Sequence, residues 1–190
     1  MALRRKPAID QGALCAWHIA DGRFEVFSAQ RNVALPLSLI PSGDGRQWPA
    51  LGHIFGASLV GGRWNSPGLG VIYASLSFAG AMLECLAHAG IGRVPKTHVA
   101  IEITIPGSVK IERHDDKDLP TGWDHGDLHV ARAFGNSWVR ERRSAALVVP
   151  SVVARREGNL ILNPQHADFA AITVGSPEPV LWDARLFGRS

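Results

Sequence analysis

The chain has 190 residues, 46% hydrophobic and 19% charged, with a formal net charge of +3; that size and balance describe one globular domain with a substantial core. Its basic residues fall in short, scattered clusters (RRK at Arg4–Lys6, RERR at Arg140–Arg143, Arg155 with Arg156). This excludes the concentrated stripe of a direct nucleic-acid footprint, while a basic rim that attracts an anionic ligand remains compatible. No apolar run is long enough to span a membrane or to serve as a signal sequence behind the basic N-terminus, so a cytoplasmic protein without membrane contact is expected.

In chain order, residues 1–13 are expected to form a flexible leader, polar from Met1 to Gln11, and residues 14–190 the folded domain. LCAWHI at Leu14–Ile19 reads as a buried strand. Pro36–Val60 is rich in Gly, Pro and Ser and predicts a long irregular connection. Val71–Ala74 is a short strand. Ser77 is placed to cap a helix over Phe78–Ala89, with Gly90 ending it. In THVAIEITI, Thr97–Ile105, the residues Val99, Ile101, Ile103 and Ile105 alternate with more polar ones, a strand with one buried face. Val109–Glu112 continues in extended form. Asp127 is a candidate cap for a helix to about Arg142.

AALVVPSVV at Ala145–Val153 is a buried strand whose Pro150 predicts an edge position or a bulge. Gly158-Asn159 reads as a turn, Asn163-Pro164 as a helix start, and Glu178–Phe187 as a last strand. Strands outnumber helices without regular alternation, so the fold class is α+β. Cys15 and Cys85 lie among apolar neighbours, which fits thiols of a reducing compartment rather than a disulfide framework.

The stretch GGRWNSPGLGVIYASLSFAGAMLE, Gly61–Glu84, holds the residue types that carry chemistry. Glu84 sits on an otherwise apolar helix, in line with Gly80 and His88. An acid there pairs with a buried arginine, faces water, or lines a cleft in which small neighbours leave room for a ligand. Arg63, in a glycine turn, is a surface ion-pair partner or a planar fork for phosphate or carboxylate. Tyr73, the only tyrosine, is a core aromatic or a face on which a flat heterocycle stacks.

Other signals are weaker. The eight histidines include no HExxH, and neither CxxC nor GxSxG occurs, so no metal is expected and a serine hydrolase is a poor reading. His125 and His129 fit a polar loop running into a helix. The GLG at Gly68–Gly70 is no dinucleotide fingerprint. The tryptophans are scaffold by default, although Trp64 beside Arg63 is a candidate cleft wall.

GGRWNSPG, IYAS, the helix with LECLAH, GNSWVRERRSAALVVPSVV and EGNLILNPQHADF, in that order, resemble the RES domain, named for its arginine, glutamate and serine. The resemblance runs from about Leu14 to Phe187. It implies a single domain with a mixed β-sheet core and flanking helices, similar to ADP-ribosyltransferases. It also implies a toxin of a toxin–antitoxin pair, inhibited by an Xre-type antitoxin. By the match the family's arginine is Arg63, its tyrosine Tyr73, its glutamate Glu84 and its serine Ser144. One departure is His18 after Trp17, where the family commonly carries an arginine. His18, Tyr73 and Glu84 then resemble the His-Tyr-Glu set of diphtheria-type enzymes.

The implied substrate is NAD, consumed by hydrolysis or phosphorolysis or by transfer of ADP-ribose to a protein. In that reading Glu84, Arg63 and Tyr73 are catalytic, and His18, Arg63, Tyr73 and Ser144 bind NAD. Glu84 would act at the ribose, where positive charge develops. Arg63 would grip the diphosphate and Tyr73 would stack nicotinamide. His18 would hold a ribose hydroxyl or a phosphate, and Ser144 the carboxamide or a phosphate. A mono-ADP-ribosyltransferase with a specific protein target is the alternative. A non-catalytic binding module, with Glu84 and Arg63 paired in the core, is the second alternative.

Overall fold

The computed structural model describes residues 12–21, 60–89 and 97–187. The leader up to Gln11, nearly all of Pro36–Val60, and Gly90 lie outside the described residues. Eight strands join one sheet: β1 Leu14–Asp21, β2 Ile72–Ser75, β3 His98–Ile105, β4 Ile111–Arg113, β5 Ala146–Pro150, β6 Gly158–Leu162, β7 Thr173–Val174 and β8 Glu178–Pro179. Their order is β4-β5-β6-β2-β1-β3-β7, with β8 also on β3. All pairings are antiparallel except β4 with β5. Among the described residues two α-helices accompany them, α1 over Phe78–Ala89 and α2 over His129–Glu141.

The pleat divides the central strands between two apolar clusters, because successive side chains point to opposite faces. Ile72, Ala74, Ala146, Val148, Leu160 and Leu162 join one cluster, together with Ile103, Ile105, Phe169 and Ile172. Tyr73, Leu147, Val149 and Ile161 join the other, with Trp64, Trp123, Trp138 and Val139. Burial on both faces explains why β5 reads as an unbroken apolar run.

α1 starts where its cap predicts: the Ser77 hydroxyl accepts a hydrogen bond from the Gly80 amide at 3.0 Å. α2 buries Ala131, Gly135, Trp138 and Val139, a helical stripe at i, i+4, i+7 and i+8. Asp127 does not cap it as expected. Leu128 takes the cap position in the left-handed region, at φ 60°, and the Asp127 carboxylate accepts from the His129 amide at 3.2 Å.

Four other expectations change. Pro150 is neither on an edge strand nor in a bulge. β5 lies between β4 and β6, but β4 pairs only as far as Val148, so the ladder never asks Pro150 for an N–H on that side. Gly158-Asn159 is the start of β6 rather than a turn, and the reversal is Ser151–Glu157, closed by the Ser151 amide on the Glu157 carbonyl at 2.9 Å. Asn163-Pro164 opens a turn, with the Asn163 carboxamide accepting from the Gln165 amide at 3.0 Å. A short 3-10 segment follows at Ala167–Ala171. The final strand shrinks to β8, after which Ala184–Phe187 forms a 3-10 turn.

Candidate functional site

β2 and α1 are consecutive, so Tyr73 and Glu84 are positioned by one strand–helix unit. α1 packs against β1 and β2, with Ala81 and Leu86 buried and Glu84 half-buried. The Glu84 carboxylate has no arginine or lysine partner among the described residues. Its Oε1 instead accepts from the Ser151 hydroxyl at 2.7 Å and from the Asn159 side-chain amide at 2.6 Å. The Asn159 oxygen in turn accepts from the Ser75 hydroxyl at 2.8 Å. Strand register brings this about, since Asn159 on β6 pairs with Ser75 on β2, and Ser75 pairs with Trp17 on β1. Both bonds fall on one oxygen, Oε1. The carboxylate is thus held by neutral donors and keeps its charge uncompensated.

Arg63 stands at the tip of a tight turn. Gly61 has φ +74°, and a Cβ there would lie 2.8 Å from the Asn65 carbonyl oxygen, so glycine is required. The Gly62 amide closes the turn on that same carbonyl at 2.9 Å. One arginine terminal nitrogen donates to the carbonyls of Trp123 and His125, at 3.1 and 3.0 Å. These contacts fix the guanidinium plane without neutralising it. Arg63 and Glu84 do not pair with each other, so the internal ion pair of a non-catalytic module is absent.

The Tyr73 hydroxyl donates to the Asn65 side-chain oxygen at 2.7 Å and accepts from the Trp64 amide at 2.9 Å. Burial pushes its pKa well above the usual tyrosine value, so it is a neutral phenol. A Cβ on Gly62 would fall 2.5 Å from this hydroxyl. The Arg63 turn therefore rests directly on the Tyr73 ring. His18 meets this strand from β1: its Nδ1 lies against the Tyr73 backbone carbonyl. Burial lowers its pKa, partly offset by that hydrogen bond. A carbonyl accepts, so the proton is on Nδ1 and Nε2 is the acceptor of a neutral ring.

Ser144 is not brought to this group. It is 0% exposed, accepts from the Trp138 indole N–H at 2.9 Å and donates to the Ala146 carbonyl at 2.8 Å. Its hydroxyl braces the end of α2. The serine that touches Glu84 is Ser151, in the same VVPSVV stretch. Sequence reading passed over it and over Asn159, because the Gly158-Asn159 dipeptide looked like a turn. The signal that finds both is their flanking of a reversal between two buried strands. Trp64 is core rather than cleft wall: it is 2% exposed and stacks on Trp123 at 5.7 Å. The RERR cluster lies at the far end of α2, and Arg143 there pairs with Glu112 at 2.9 Å. Among the described residues no His/Cys/Asp/Glu group could hold a metal ion, and no helix is long and apolar enough to cross a membrane.

Tyr73, Ser75 and Asn159 thus share one face of the sheet with the Glu84 carboxylate that Asn159 holds, the Arg63 turn rests on Tyr73, and His18, on the opposite side of the β1 pleat, meets β2 at the Tyr73 carbonyl. The RES domain family model matches residues 36–183. A Prs ADP-ribosylating toxin from Sphingobium sp. (strain YBL2) is 36% identical over 138 residues, 71% of this chain and 86% of that protein. A Toxin Res from Yersinia enterocolitica is 33% identical over 70% of this chain and 88% of its own length. One from Pseudomonas putida is 34% identical over 70% and 90%. Among solved structures, the Mycobacterium tuberculosis MbcT-MbcA toxin-antitoxin complex contains a chain of the same fold. Its TM-score is 0.57 at 14% identity, covering 88% of this chain and 84% of that one. With most of its length matched, this chain belongs to the RES domain family.

Proposed function

We propose that the chain is the toxin of a toxin–antitoxin pair, acting in the cytoplasm, and that it consumes NAD by cleaving the nicotinamide–ribose bond. The observation that carries this reading is Glu84: a half-buried carboxylate, uncompensated by any cation among the described residues and held through one oxygen by Ser151 and Asn159. Such a group suits an oxocarbenium-like transition state, where a fixed negative charge interacts more strongly as the ribose becomes positive. The carbon–nitrogen bond breaks with its electron pair leaving on nicotinamide, whose ring becomes neutral. An acceptor oxygen then bonds to the ribose carbon and loses its proton.

Arg63 binds the diphosphate from a turn that Gly61 and Gly62 let close against Asn65 and Tyr73. The Tyr73 ring packs against nicotinamide, its hydroxyl committed to Asn65 and Trp64. His18, neutral and with Nε2 as acceptor, suits a ribose hydroxyl better than a phosphate. The names of the relatives, Toxin Res and ADP-ribosylating toxin, support the toxin reading. The second of those names favours a protein side chain as one possible acceptor beside water and phosphate. A cognate antitoxin, Xre-type by the resemblance, would cover the site and exclude NAD. The shared fold with a chain of a toxin-antitoxin complex supports a partner of that kind.

The test is to incubate purified protein with NAD, alone, with phosphate, and with cell lysate. Free ADP-ribose, its phosphorylated form or labelled protein identifies water, phosphate or a side chain as acceptor. No turnover under all three conditions contradicts the proposal.

A further inference from the structure

A second arginine shares the turn that carries Arg63. Arg132, in the first turn and a half of α2, donates from Nε to the Gly62 carbonyl at 2.9 Å. Gly62 lies against the Tyr73 hydroxyl, and the charges of Arg132 and Arg63 both act on that hydroxyl. Two guanidinium groups therefore stand around one glycine turn. Neither has a carboxylate partner among the described residues. The other arginines held by side chains differ in this: Arg143 pairs with Glu112, Arg155 with Asp124 and Arg185 with Asp183. Arg132 is half-buried, its Nε is spent on a carbonyl, and its terminal nitrogens take no bond from a described residue. The first turn of α2 contains no acid to offset it. Two cations that act on one hydroxyl, with no carboxylate partner among the described residues, make the turn attractive to an anion.

We propose that Arg132 is a second anion-binding residue of this site, standing with Arg63 over the Gly61–Gly62 turn to receive the diphosphate of a dinucleotide. This rests on the NAD reading above and assigns the diphosphate to two guanidinium groups instead of one. The Nε bond to Gly62 orients the plane, and the delocalised charge and terminal N–H groups face the anion.

The experiment measures ADP-ribose affinity by calorimetry for the wild-type chain, Arg132→Gln and Arg132→Lys, with melting temperatures in parallel. Loss of a charge-assisted hydrogen bond predicts that Arg132→Gln binds roughly ten- to a hundredfold more weakly. Arg132→Lys restores most of the affinity, since lysine supplies the charge but not the Gly62 bond. Unchanged affinity in Arg132→Gln overturns the proposal. So does an Arg132→Lys protein as weak as the Gln variant, which would make Arg132 only a brace for the turn. Should Arg132→Gln not fold, the salt dependence of ADP-ribose binding in Arg63→Gln decides. A remaining dependence shows a second cation, and its disappearance contradicts one. A wild-type chain that consumes NAD while its Arg132 variants bind normally defeats only this inference. One that neither binds ADP-ribose nor consumes NAD defeats the functional reading, and the inference with it.

Discussion

Glu84, Arg63 and Tyr73 were legible as candidates because each is an anomaly in its neighbourhood: an acid in an apolar helix, a cation in a glycine turn, a lone phenol in a strand. What Glu84 and Arg63 bond to was not legible, since their partners come from β6, the Ser151–Glu157 reversal and the 123–125 loop, far away in sequence, whereas Tyr73 bonds to Trp64 and Asn65 close by. In the proposed reaction Ser151 and Asn159 act through Glu84, orienting its carboxylate by their bonds to Oε1. Asn159→Ala is therefore expected to lower kcat about ten- to a hundredfold, the value of a hydrogen bond to a charged group, with KM little changed. Steady-state kinetics with NAD checks this, and a rise in KM at constant kcat would assign Asn159 to binding.

Stacking alone would make Tyr73→Phe mild. The hydroxyl, however, satisfies the Trp64 amide and the fully buried Asn65. Tyr73→Phe should cost about 1–3 kcal/mol in denaturant unfolding. His18 gives a pH signature. Its folded pKa lies below the ordinary value near 6.5, so the unfolded chain binds the proton more readily. Its stabilising contribution is complete above roughly pH 6.5 and is lost as the pH falls. Replacing His18 with Gln should flatten the decline in melting temperature between about pH 7 and 5, and an unaltered decline would contradict this.

Between elements, the critical contact is α2 against the Arg63 turn. Arg132 holds the Gly62 carbonyl, and Asn136 accepts from the Ser66 amide at 2.9 Å and donates to the Ser66 hydroxyl at 2.8 Å. Between them Gly135 lets the backbones meet: a Cβ there would stand 1.9 Å from the Trp64 carbonyl oxygen. Helical periodicity revealed α2 but not why Gly135 interrupts it, because nothing local in GNSWVRE names a loop 70 residues upstream as the neighbour. Gly135→Ala should displace the turn, destabilise the fold by about 1–3 kcal/mol, and weaken NAD binding. Wild-type stability and affinity would mean that the turn does not depend on this packing. The same long-range logic explains the misread ends of β5 and β6. Pro150 and Asn159 are conformational punctuation locally, yet both lie in the ladder because β5 and β6 are clamped on both faces.

At the scale of the molecule, one mixed sheet and the two helices among the described residues set Tyr73, Glu84 and the Arg63 turn around β2, and the order of sequence segments was enough to anticipate the α+β class and the family. The central claim is that Glu84 carries the chemistry rather than the fold. The most direct measurement compares NAD turnover and thermal unfolding of the wild-type chain and Glu84→Gln, which keeps the side chain's shape and removes its charge. The expected result is a fall in turnover of at least two orders of magnitude, in the range seen when a transition-state charge partner is removed, with a melting temperature close to wild type. Turnover within a few-fold of wild type would contradict it, and so would a collapse of the fold, which would make Glu84 a structural acid.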